Sequence, residues 1–214
     1  MAVSATQTSA GEQLRRQISI RRELFFRYLT FYSYTLQTIC LCLCIFTHLA
    51  KEGKGKQRMQ AFTDRLSCAC FGLANTVTIM FYTVENATKG LVEGGLLERP
   101  IWLQIAVHAG NAATAWGDLL LAEERSFSPA ARRLAIGLAL AYGAWLLLVR
   151  RVFGKFPYPI LNKLPFPWGF MGFFAAGIAV IVATFQLGKW VRQQLSAFSG
   201  YQTEEGGSAK AKDS

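Results

Sequence analysis

The chain has 214 residues, of which 52% are hydrophobic and 17% charged, with a formal net charge of +10. A soluble domain has similar averages, but here the charges cluster in short blocks between apolar runs of about 16 to 25 residues, the pattern of membrane-spanning segments. The Lys and Arg residues sit at the ends of these runs, where they anchor helices against headgroups. With no RNA- or DNA-binding motif beside them, the basic charge does not point to nucleic acid.

In chain order, residues 1–22 are rich in Ser, Thr, Gln and Arg. They read as a disordered polar tail without the apolar stretch of a signal peptide. A transmembrane helical domain is expected over 23–195, and a second disordered tail, rich in Gly, Ser, Lys and Glu, over 196–214. Five apolar runs fall at roughly 24–48, 66–84, 100–121, 134–149 and 168–188. The expected fold class is therefore all-α, a polytopic membrane helix bundle of about five transmembrane helices. Lys and Arg divide almost evenly between its two sides, so charge does not set the orientation. The expected location is an integral, multipass position in a membrane, endomembrane or plasma membrane.

The first run, LFFRYLTFYSYTLQTICLCLCIFTHL, carries Thr30, Ser33, Tyr34, Gln37, Cys44 and His48 on one face at helical spacing. The second carries Asn75, Thr78, Tyr82 and Asn86 in a similar stripe. Cys40, Cys42, Cys44, Cys68 and Cys70 are odd in number, and their alternate spacing scatters the thiols around a helix. They read as packing residues rather than disulfides or metal ligands. In the third run Gln104, His108, Asn111 and Asp118 lie within an arc of about 80°. Ionisable groups in hydrocarbon are expensive and mark a functional site by default. The bland reading of the other polar residues is interhelical hydrogen-bonding worth about 0.6 kcal/mol each.

The fourth run is short, but Arg132, Arg133, Arg150 and Arg151 flank it and can snorkel. After it comes FGKFPYPILNKLPFPWG, whose closely spaced prolines predict an extended or re-entrant loop rather than a regular helix. Its Phe156, Tyr158, Phe166 and Trp168 suit the membrane interface, either as a lid over a lipid site or as a rigid connector. In the last run Gly169, Gly172, Ala176 and Ala179 or Ala183 predict a small-residue packing seam.

His48 and His108 are the two histidines. They sit near opposite ends of parallel spans, roughly 20 Å apart in depth, too far for one haem. No HExxH motif or Cys/His cluster is present, so no metal and no cofactor is expected. A histidine base activating a hydroxyl nucleophile is the better option, and the absence of G-x-S-x-G excludes an α/β-hydrolase. Thr30 lies ~5–10 Å inside its span and His108 ~12 Å inside from the same side, a difference that tilt absorbs. Depth admits Ser33 as well. Asp118, ~15 Å along the helix from His108, is a poor third triad member.

Three segments carry a wider resemblance: YLTFYSYTLQTICLCLCIFTHL, PIWLQIAVHAGNAA and AYGAWLLLVRRVFGKFPYPIL. Thr30 followed by Gln37, then Pro100, Trp102, Leu103 and His108, then Tyr158-Pro159, occur in the order seen in the androgen-induced gene / androgen-dependent TFPI-regulating protein family of FAR-17a-like multipass membrane proteins, which the chain resembles over about residues 24–190. The resemblance implies an intramembrane threonine hydrolase of fatty acid esters of hydroxy fatty acids, with Thr30 as nucleophile and His108 as its partner. Gln37, Gln104, Asn111 and Tyr158 are the candidates for binding substrate, orienting the base or stabilising the oxyanion. The expected partners are the lipid bilayer and a lipid ester. The chain departs from the family pattern in two places: a polar segment precedes the Thr-bearing span where relatives carry another span, and Gln104 and Ile105 replace an Asn-His pair. The rival readings are a non-catalytic membrane scaffold or lipid-binding protein, and a small transporter with His108 and Asp118 as a relay. Transporters often show internal repeats, and none is visible here.

Overall fold

The computed structural model describes residues 28–88, 101–122 and 125–210. Among these, six helices follow one another: α1 (Leu29–Leu49), α2 (Lys54–Thr88), α3 (Ile101–Leu121), α4 (Pro129–Phe153), the single turn α5 (Pro159–Lys163) and α6 (Trp168–Lys210). The fold is all-α. Among the described residues, four stretches are long and apolar enough to cross a membrane: Leu29–Leu49, Lys54–Asn86, Pro129–Phe153 and Trp168–Phe198. The third expected span does form a helix of 21 residues, as long as α1, but it is not among these four. Gln104, His108, Asn111 and Asp118 dilute its apolar content.

Helix α2 is the hub, packing against α1, α3, α4 and α6. Of its apolar window 61% is buried, against 28% or less for the other three stretches. Small residues at Ala69, Gly72 and Ala74 let its neighbours approach closely. Outward, the bundle shows Ile45, Phe46, Trp102, Leu140, Trp145 and Leu148, a face suited to lipid.

Local signals set the helix ends. Helix α4 starts at Ser128-Pro129: the Ser128 hydroxyl accepts the Ala131 N–H at 3.3 Å, and Pro129 sits where no amide donor is needed. It stops at Gly154, whose left-handed backbone (φ 72°, ψ −5°) returns an N–H to the Arg150 carbonyl at 2.8 Å, a conformation that favours glycine. Between α3 and α4, Phe127 has a positive φ of 41° and a buried ring in the core with Phe71 and Phe185. That ring lies so close to Gly188 that a Cβ there would be 2.6 Å from it.

Several expectations change. Helix α2 starts well before the expected boundary at 66, taking in the basic segment from Lys54. The proline-rich connector holds one turn of helix, α5, because Pro159 occupies its first position, where proline is tolerated. Of the expected small-residue seam of α6, Gly169 packs closely, a Cβ there lying 2.5 Å from Leu164, but the rest is not the packing face. Gly172, Ala176, Ala179 and Ala183 are exposed, whereas Ile181, Thr184, Phe185 and Gly188 face α2 and the Phe127 loop. Helical backbone continues past residue 196 to Lys210, into the segment read as a tail. The expected N-terminal tail, residues 1–22, lies outside the described residues.

Candidate functional site

Helices α1 and α3 run parallel, and their polar stripes meet as rungs. Thr30 Oγ1 and His108 Nδ1 are 3.4 Å apart. One turn deeper, the Ser33 hydroxyl donates to Asn111 Oδ1 at 3.1 Å. Both rungs join residues 78 apart in sequence, which fixes the register of the two helices. The Gln37 amide donates to the same Asn111 oxygen, and Gln37 Oε1 and Asn111 Nδ2 are buried without a hydrogen-bond partner among the described residues. Ser33, Gln37, His108 and Asn111 are all buried. Alongside, the Tyr34 hydroxyl donates to the Ala106 carbonyl at 2.7 Å and lies against Gly110.

Helix α2 runs antiparallel to α3 and completes the seam. Thr78 donates to the His108 carbonyl at 2.6 Å, and the Phe81 ring stacks on the imidazole with the planes 9° apart. Trp116 donates to Asn75 Oδ1 at 2.9 Å. The imidazole is thus held between a hydroxyl on α1 and an aromatic face on α2. Phe81 is one residue away from the polar stripe of α2, so nothing in the polar pattern singled it out.

Tyr158 acts from the connector between α4 and α5. Its hydroxyl accepts the Leu29 N–H at 2.8 Å and pairs with the Tyr142 hydroxyl at 2.9 Å. Tyr28, at the N-cap of α1, makes no side-chain cap, so Tyr158 satisfies one of the helix's open donors. The residue after Leu29 is Thr30. Tyr158 therefore positions the start of α1, its hydroxyl being engaged by Leu29 and Tyr142. Burial raises its phenol to about 12.

The remaining candidates fall elsewhere. Gln104 is half-buried one turn before His108 and makes no hydrogen bond with it among the described residues. Asp118 is ion-paired to Arg125 at 2.6 Å and accepts from Ser67, which ties the far end of α3 to α2 and to the following loop. His48 is exposed at the opposite end of α1 from Thr30.

A helical bundle with apolar outer faces and a polar seam buried between three helices is a multipass membrane-type fold. A family profile for FAR-17a/AIG1-like proteins matches residues 12–193, and the chain belongs to that family. No curated protein and no solved structure matches the chain.

Proposed function

We propose that this protein is an intramembrane hydrolase of lipid esters, with Thr30 as nucleophile and His108 as general base. The observation that carries this is the 3.4 Å approach of Thr30 Oγ1 to His108 Nδ1 beneath one end of the bundle. The distance is long for a hydrogen bond, as is common in ligand-free sites that tighten around substrate. Thr30 Oγ attacks the ester carbonyl carbon while His108 Nδ1 takes its proton. The carbon–oxygen bond to the leaving alcohol then breaks, and His108 returns the proton to that alcohol. Water, deprotonated by the same imidazole, attacks the acyl-threonine; the bond from the acyl carbon to Thr30 Oγ breaks, His108 returns the proton to Thr30 Oγ, and the fatty acid is released.

The buried Asn111 amide, one turn below, has an unpaired N–H donor suited to the developing oxyanion. Phe81 keeps the imidazole plane fixed. The substrate class is the one the family resemblance implies, fatty acid esters of hydroxy fatty acids, reached from the surrounding bilayer.

The test is turnover of such esters and of p-nitrophenyl esters by purified protein, together with labelling by a fluorophosphonate probe. Wild type is expected to turn over and to label, and Thr30→Ala and His108→Ala to do neither. Undiminished turnover in Thr30→Ala would sink the assignment. Absence of both label and turnover in wild type selects the non-catalytic lipid-binding reading.

A further inference from the structure

Outside the Thr30–His108 seam, a cavity of about 380 Å³ opens where α4 ends. It is lined by Arg150, Lys155, Phe156, Leu161, Asn162 and Phe166, among others. Two of its lining residues are cations and none is acidic. The Arg150 guanidinium lies over the Phe166 ring, 3.4 Å from its centroid, with Phe156 at 5.0 Å. Stacking occupies the face of a guanidinium and leaves its in-plane N–H donors for another partner. One of these nitrogens, Nη1, is buried without a hydrogen-bond partner among the described residues. A desolvated cationic donor left unpaired is costly and is best satisfied by an oxyanion. Asn162 is already committed to the wall: its amide accepts the Phe156 N–H and donates to the Phe156 and Tyr158 carbonyls.

The position of the cavity says how an anion arrives. Val152, Phe153, Phe166 and Trp168 are exposed around it, at the edge of the apolar band where headgroups lie. An ion free in water gains nothing from such a rim, whereas an anion joined to acyl chains does. We propose that the cavity is a headgroup site for an anionic lipid, with a phosphate or carboxylate held by Arg150 and Lys155 and the chains lying along Val152, Phe153 and Trp168. The site is independent of the hydrolase reading.

The experiment uses the full chain in a neutral detergent, with thermal unfolding and native mass spectrometry as readouts. The probes are dioleoyl phosphatidate, oleate, dioleoyl phosphatidylcholine and inorganic phosphate. At least one of the two anionic lipids is expected to be retained and to raise the Tm. Phosphatidate alone assigns a phosphate headgroup, and oleate alone a carboxylate. Arg150→Gln is expected to weaken that binding by about tenfold or more, the loss of a charge-assisted hydrogen bond. Lys155→Gln, at an exposed side chain outside the helices, weakens it measurably and keeps the test open if Arg150→Gln does not fold. Equal stabilisation by phosphatidylcholine or by inorganic phosphate, or undiminished binding in both variants, overturns the proposal.

Discussion

Tyr158 closes a helix that begins 129 residues earlier in the chain: its hydroxyl accepts the Leu29 N–H at 2.8 Å, next to Thr30. Tyr158→Phe keeps the ring and its edge contact with Tyr28 but removes the acceptor. It should cost about 1 kcal/mol, the size of a lost helix cap, and lower the Tm by about 2–4 °C. If α1 carries the nucleophile, kcat falls while KM changes little. Tyr142→Phe, which leaves the Leu29 bond in place, is the milder control.

The same phenol sets a pH limit. Its pKa in the folded chain is raised, through burial, to about 12, against about 10 for a free phenol. The folded state therefore holds the proton more tightly, and the stabilisation is fully present below pH 10 and lost as the pH rises to about 12. Thermal melts across that window should show a decline that Tyr158→Phe reduces.

The second rung responds to removal of either partner. Asn111→Ala leaves the Ser33 hydroxyl and the Gln37 amide buried without their acceptor, a loss of about 1–3 kcal/mol. Ser33→Ala on that background should add little, and the departure from additivity measures the rung. Additive losses in chemical denaturation would show that the two residues do not act as a pair.

Close helix approach predicts which glycines tolerate a methyl group. A Cβ at Gly143 would be 2.6 Å from the Phe174 ring, and one at Gly188 the same distance from the Phe127 ring. Alanine at either should destabilise by about 1–3 kcal/mol through overpacking. Gly172→Ala meets nothing within 4 Å and should be neutral in the same melt.

Asp118 tests the division of labour within α3. Asp118→Asn breaks the ion pair with Arg125 and should lower the Tm. On the proposed hydrolase reading it should leave ester turnover and probe labelling unchanged, since the residue is ion-paired at the far end of the helix from His108. A proportional fall in kcat at unchanged stability would return Asp118 to the chemistry.

Helical period and rise, applied to Thr30 and His108, were enough to predict that the two share a depth, because those quantities depend on the backbone alone. The polar stripes likewise marked Ser33, Gln37 and Asn111, since a polar group in hydrocarbon must find a partner inside the bundle. The Phe81 stack was not legible: a phenylalanine in an apolar span looks the same facing lipid or facing an imidazole. The small residues of α6 mislead for a related reason. Small residues permit close packing but do not require it, and the face in use is chosen by bulky Phe127 and Phe71 against Gly188. The role of Tyr158 as a cap joins segments too distant in sequence for any local pattern to reveal.

The chain is synthesised from its N-terminus, so α3, the long helix that is not among the four stretches apolar enough to cross a membrane, leaves the ribosome after α1 and α2. In the bundle its imidazole lies against Thr30 and Phe81, and its Asn111 amide accepts from Ser33 and Gln37. Insertion of α3 into a bilayer is therefore expected to depend on these neighbours more than on its own partitioning. In a glycosylation-reporter assay, α3 should insert poorly alone and well when α1 and α2 precede it. Biogenesis and site assembly would then be a single event.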